Sequence, residues 1–374
     1  MQKTKERDSN LELYRIIVML LIVAHHYVVN SGLTDATGPI YSNVLTIRSM
    51  FLLIFGAWGK TGINCFVLIT GYFMCKSNIT LKKFLKLLFE IWFYRIIINL
   101  VFWITSYNQV TLTGIINIIL PVRSIATGFS PAYLVFFLFI PFLNILINNI
   151  TEKQHLLLLL LLSFTYIFLG TFPYFSVNMN YVSWFMVLYF IASYIRNYPK
   201  RIFENVKLWK WITLIFVIIS IFSVIACAFL SHWFNKRMAY YFVQDSNTLL
   251  AVLVSVSSFL TFKNLKMKNS KFINKISSTC FGVLLIHANS DVMRKWLWKD
   301  VLNNVGMYNS PFLVLHAVSS VLIIFTLCSM IDLLRIKYVE KPLFALWDKK
   351  YNGIMKWFVV IESKILQRLH IKNN

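Results

Sequence analysis

Ten stretches of this chain approach the length and apolarity needed to cross a bilayer, and nothing else in it restricts the possible folds as severely. Each spanning helix needs roughly 20 apolar residues. The stretches lie at residues 11–30, 51–75, 84–106, 131–149, 156–172, 181–196, 209–230, 247–262, 279–297 and 311–333. Hydrophobic residues make up 58% of the chain, including 33 Phe and 11 Trp, and mean hydropathy is +0.66, a balance outside the range of soluble domains. The expectation is an all-α, polytopic integral membrane bundle of about ten transmembrane helices.

The formal net charge of +23 would suggest nucleic acid on a soluble surface, but here it is sorted by segment. With the amino terminus placed in the cytoplasm, the inner segments collect most of the Lys and Arg, from Lys3, Lys5 and Arg7 to the run between Arg335 and Lys372. The outer segments hold only Arg48, Lys60, Arg123, Lys236, Arg237, Arg294, Lys295 and Lys299, while Arg15 and Arg95 fall inside spans. This positive-inside bias puts both termini in the cytoplasm and leaves nucleic acid no role. The basic start before an apolar stretch imitates a signal peptide, yet no small-residue cleavage site follows, so a retained first helix is expected. Cys65, Cys75, Cys227, Cys280 and Cys328 lack metal or redox spacing and read as packing residues. No metal site is expected, and neither an inverted repeat, a Walker sequence, GxSxG nor HExxH is present.

The first span is unusual in carrying Glu12, Arg15, His25 and His26. Ionisable groups in hydrocarbon cost a few kcal/mol each, so by default they mark a site facing protein or a wet cavity. The eleven steps from Arg15 to His26 turn through about 1100°, which returns the two side chains to within ~20° of one face, ~16 Å apart along the axis. Glu12 lies about 60° from Arg15, so Glu12, Arg15 and His26 form one stripe, and His25 points roughly 80° away. A lone histidine here would read as a packing residue; a stripe of three reads as a site. In the ninth stretch His287 has Asp291 one turn on, which either fixes its tautomer or merely caps a packing histidine. His316 has no comparable partner and reads as structural. Tyr174, Trp233, Tyr240 and Tyr241 in the outer loops suit an interfacial belt more than sugar stacking.

Five segments in order carry a family resemblance. Arg15-x10-His26 after Asn10-Leu11-Glu12-Leu13-Tyr14 resembles the first helix of the membrane acyltransferase-3 family, the bacterial O-acyltransferases of polysaccharide, lipopolysaccharide and peptidoglycan. Residues Gly62 to Tyr72, Ala132-Tyr133-Leu134 with Pro141-Phe142-Leu143-Asn144, Phe281 to His287, and Glu340-Lys341-Pro342 are similar to its later motifs. Thr70 stands where the family has serine, and Lys82, Lys83 and Lys86 replace its arginine-rich stretch. The resemblance implies a membrane acyltransferase domain over 1–345 and leaves a basic amphipathic cytoplasmic tail at 346–374.

It further implies transfer of an acyl group, most simply acetyl, from acyl-CoA as a co-substrate to a hydroxyl of a cell-envelope carbohydrate or lipid-linked glycan, with no permanently bound cofactor. The setting would be a bacterial cytoplasmic membrane. Neutral imidazole suits removal of the hydroxyl proton. His26 is the first choice of base, or of nucleophile, with adjacent His25 open as the alternative and His287 as runner-up. Arg15 suits either the phosphate or pantetheine of the donor or an i, i+3 salt bridge to Glu12. Lys82, Lys83 and Lys86 read as topological anchors or donor contacts. Arg95, beside Trp92 and near Glu90, reads as donor-pocket lining or half of an intramembrane pair. The rival reading is a transporter or flippase for a polysaccharide intermediate, its pathway lined by the same stripe. A sensory or structural protein with an inactive fold is the third.

Overall fold

The computed structural model describes residues 8–125, 128–172, 174–175, 177 and 179–350, and among them there is no strand. The main helices are α1 (Ser9–Val29), α2 (Ile47–Gly56), α3 (Gly59–Met74), α4 (Leu81–Ile104), α5 (Phe129–Asn149), α6 (Glu152–Leu162), α7 (Tyr181–Asn197), α8 (Val206–Phe234), α9 (Leu249–Lys263), α10 (Cys280–His287) and α11 (Leu313–Arg335). Several of their starts are set by short polar side chains that satisfy orphan backbone donors. Thr46 accepts from Ser49 N at α2, Thr80 from Lys83 N at α4, and Asn180 from Ser183 N at α7.

Seven helical segments are long and apolar enough to cross a membrane: Ser9–Val29, Ile47–Met74, Leu81–Ile104, Phe129–Asn149, Glu152–Thr171, Val206–Phe234 and Leu313–Lys350. The other three expected spans are helical but shorter. α7 has 17 residues and α9 has 15. The 279–297 stretch is cut after α10, because Ser290 caps a new helix by accepting from Met293 N at 3.2 Å. Half of the α1 window and 72% of Ile47–Met74 are buried, against 17% of Leu81–Ile104 and 22% of Val206–Phe234. The first two therefore make the interior, and α4 and α8 turn apolar faces such as Ile97, Leu100, Ile218 and Phe222 outward.

α1 and α3 approach closely because α3 opens on glycines. A Cβ at Gly62 would meet Ile22 Cγ1 at 2.7 Å, and one at Gly59 would meet the His25 ring at 2.2 Å. Buried polar bonds then fix the packing. Asn64 donates to Ser246 O at 2.7 Å and accepts from Trp184 Nε1 at 2.9 Å, tying α3 to α7 and to the loop before α9. Tyr14 of α1 lies 2.6 Å from Ser258 Oγ of α9 and 2.9 Å from Cys65 Sγ of α3. All five cysteines are buried.

Contacts divide the chain into residues 1–328 and 329–374. Within the second unit, buried Arg335 holds Asp332 at 2.6 Å and Glu340 at 2.7 Å. The expected boundary at 345/346 falls inside this unit, and most of the expected tail, residues 351–374, lies outside the described residues.

Candidate active site

The last turn of α1 and the end of α10 bring two imidazoles together. His26 Nδ1 lies 2.9 Å from His287 Nε2. His287 Nδ1 lies 2.6 Å from Val283 O, a carbonyl that can only accept, so this nitrogen carries the proton. With both rings neutral, His287 Nε2 is then an acceptor, His26 Nδ1 the donor, and His26 Nε2 the nitrogen with a free lone pair. His25 Nδ1 meets Gly56 O at 2.6 Å and is protonated by the same reasoning. Buried Trp298 stands edge-on behind His287, its ring centroid 6.3 Å away at 85°, and also packs edge-on against Tyr27.

His25 and His26 line a cavity of about 530 Å³, within the range of small-molecule sites. Ile22, Ile63, Phe66 and Phe129 supply apolar wall, and Lys60, Arg95, Tyr181, Tyr240, Asn30 and Arg294 polar wall. The arrangement offers an imidazole lone pair beside a space large enough for a reacting group, with a second imidazole fully buried behind it. Such a pair can take a proton at one nitrogen and share the resulting charge through the other.

Of the residues singled out from sequence, His25, His26, Arg95 and Tyr240, the last expected in an interfacial belt, border this cavity, and His287 touches it through His26. Arg95 donates to Asn117 O at 2.6 Å. Arg15 and Glu12 share one face as expected but form a 2.8 Å ion pair of their own, Glu12 also accepting from Ser277 Oγ, and neither lines the cavity. Lys82, Lys83 and Lys86 lie in the first turns of α4, away from the cavity, where Lys83 Nζ donates to Ser77 Oγ and Asn78 O. Asp291 does not reach His287. The helix ends between them, so the one-turn spacing is lost; Asp291 is 95% exposed and pairs with Arg294 at 2.9 Å, while Val283 O takes the His287 proton. His316, expected to lack a partner, lies 2.8 Å from Tyr27 Oη.

Several cavity residues carried no clear signal in the sequence. Lys60 donates to Tyr181 Oη at 2.7 Å, yet in sequence it is one outer charge among eight. The Tyr240 hydroxyl and the Asn30 amide nitrogen are buried without a hydrogen-bond partner. Burial pushes the Tyr240 phenol well up, so it stays an O–H donor. Asn64 was recognisable only as a polar residue inside the Gly62–Tyr72 motif.

Residues 8–331 match a family model described as an acyltransferase domain. The chain belongs to the acyltransferase-3 family. No curated protein and no solved structure matches it. Membership in the acyltransferase-3 family and seven apolar helices together make it a multi-pass membrane acyltransferase. The acyltransferase-3 match spans both histidine-bearing helices, α1 and α10, and every residue named in the cavity.

Proposed function

We propose that the protein is an O-acyltransferase of a bacterial cytoplasmic membrane, moving an acyl group, acetyl in the simplest case, from acyl-CoA to a hydroxyl of a cell-envelope carbohydrate. The observation that carries this reading is the contact of His26 with His287 at the wall of the cavity. The acceptor hydroxyl gives its proton to His26 Nε2 as its oxygen attacks the thioester carbonyl. The carbon–sulfur bond then breaks and coenzyme A leaves as the thiol, taking a proton from His26. While His26 is protonated, its Nδ1–H bond to His287 Nε2 spreads the positive charge over both rings. The same Nε2 would be the attacking atom in an acyl-imidazole route.

The donor is assigned to the end of the bundle that holds Arg15, Lys82, Lys83 and Lys86, the cytoplasmic end if both termini are inside. His26 lies about 16 Å farther along α1. This spacing supports a donor entering from the inner face and an acceptor meeting it at the outer. The acceptor is a polysaccharide or lipid-linked glycan.

Mass spectrometry of envelope glycans from a deletion strain tests the reading. O-acyl groups should vanish on deletion, return with the wild-type gene and stay absent with His26→Ala. Membranes holding the protein should also consume labelled acyl-CoA. Movement of an intact glycan intermediate with no donor consumed would establish the flippase instead.

A further inference from the structure

The cavity beside His26 is charged in one sense. Lys60, Arg95 and Arg294 line it, and no carboxylate does among the described residues. Arg294 has Asp291 as partner, but that side chain is 95% exposed, so water screens the pair. Among the described residues, Lys60 and Arg95 bond neutral groups, the Tyr181 hydroxyl and the Asn117 carbonyl. Cations bordering a low-dielectric space without counter-charge are costly, and they focus a positive potential into it. Three cations thus border a space whose other polar walls, among them Tyr181, Gln244 and Asn289, are neutral.

The donor's own phosphates fit this place poorly. The cavity has the volume of a sphere roughly 10 Å across, and with a thioester at His26 the whole pantetheine arm must separate those phosphates from the reacting carbon. Coenzyme A's charge therefore belongs farther off, toward Arg15. We infer that the acceptor carries an anionic group, phosphate or carboxylate, close to the hydroxyl that is acylated, and that Lys60, Arg95 and Arg294 hold it. The inference rests on the O-acyltransferase reading and names its substrate class. Charge-assisted bonds to such a group would orient the neighbouring hydroxyl toward His26 Nε2.

The test incubates membranes containing the full chain with acetyl-CoA labelled in the acetyl group and with host envelope glycans. Labelled glycan is fractionated by anion exchange, and its digested oligosaccharides are analysed by mass spectrometry to tell phosphate from carboxylate. The expected result is His26-dependent label in the retained, anionic fraction. Lys60→Gln and Arg294→Gln should each raise KM for the glycan by about tenfold or more without raising KM for acetyl-CoA, and Lys60→Arg should recover most of the loss. His26-dependent label in a neutral glycan overturns the inference and leaves the acyltransferase reading standing. A rise in KM for acetyl-CoA in the glutamine variants gives these cations to the donor and also overturns it. Absence of any His26-dependent label removes both.

Discussion

His26 Nδ1 sits 2.9 Å from His287 Nε2, and because His287 spends its other nitrogen on Val283 O, the pair has one arrangement of protons when both rings are neutral. That arrangement turns the free lone pair of His26 onto Nε2. His287 then does for His26 what a carboxylate does in hydrolase triads, fixing tautomer and orientation while sharing the developing charge. It does so without adding a negative charge to the membrane interior.

Removing this support should affect turnover more than binding. His287→Ala is expected to lower kcat by roughly 10²-fold with KM for acetyl-CoA unchanged. His287→Gln, whose amide oxygen can accept from His26 Nδ1, should recover part of the loss. Steady-state kinetics on purified protein checks both. Equal activity of His287→Ala and wild type would show that the second ring only packs.

The close crossing of α1 and α3 is a separate commitment. A Cβ at Gly59 would meet the His25 ring at 2.2 Å. Gly59→Ala should therefore destabilise by about 1–3 kcal/mol, as overpacking does, and Gly59→Ala with His25→Ala should be more stable than Gly59→Ala alone. Thermal melts of detergent-solubilised variants read this directly; a Gly59→Ala protein as stable as wild type would contradict the packing.

Asn64 makes the third test. It accepts from Trp184 Nε1 and donates to Ser246 O, with no exposed surface. Asn64→Leu strands both partners and should cost about 1–3 kcal/mol for each unsatisfied group. Adding Trp184→Phe removes one stranded donor, so the double variant should lose less than the sum of the two single losses.

Much of this was legible in the sequence, and the failures have physical reasons. Charge inside an apolar helix is costly, so Glu12, Arg15, His25 and His26 stood out before any packing was known. The i, i+3 pairing of Glu12 with Arg15 follows from helix geometry alone, and the structure has it at 2.8 Å. The Asp291 expectation failed because it assumed an unbroken helix, whereas the chain leaves α10 after His287 and restarts at Ser290. Lys60 and Arg294 read as ordinary outer charges, since only tertiary packing places the start of α3 and the short helix Asp291–Arg294 around one cavity. Tyr240 read as an interfacial-belt aromatic for the same reason, whereas it stands in the cavity wall with its hydroxyl buried.

Arg15 separates two roles that the sequence left open. If it holds the donor as well as Glu12, Arg15→Lys should raise KM for acetyl-CoA several-fold while melting close to wild type, because an ammonium keeps the charge but loses the planar fork. A variant that melts early with unchanged KM would reduce Arg15 to a helix-stabilising pair.

The most direct measurement is the single-turnover rate of acetyl transfer by full-length protein reconstituted in vesicles, compared between wild type, His25→Ala and His26→Ala. The account predicts that His26→Ala falls by about 10²–10⁴-fold while still binding acetyl-CoA, and that His25→Ala falls far less. Transfer by His26→Ala at the wild-type rate, or a greater loss in His25→Ala, would contradict it.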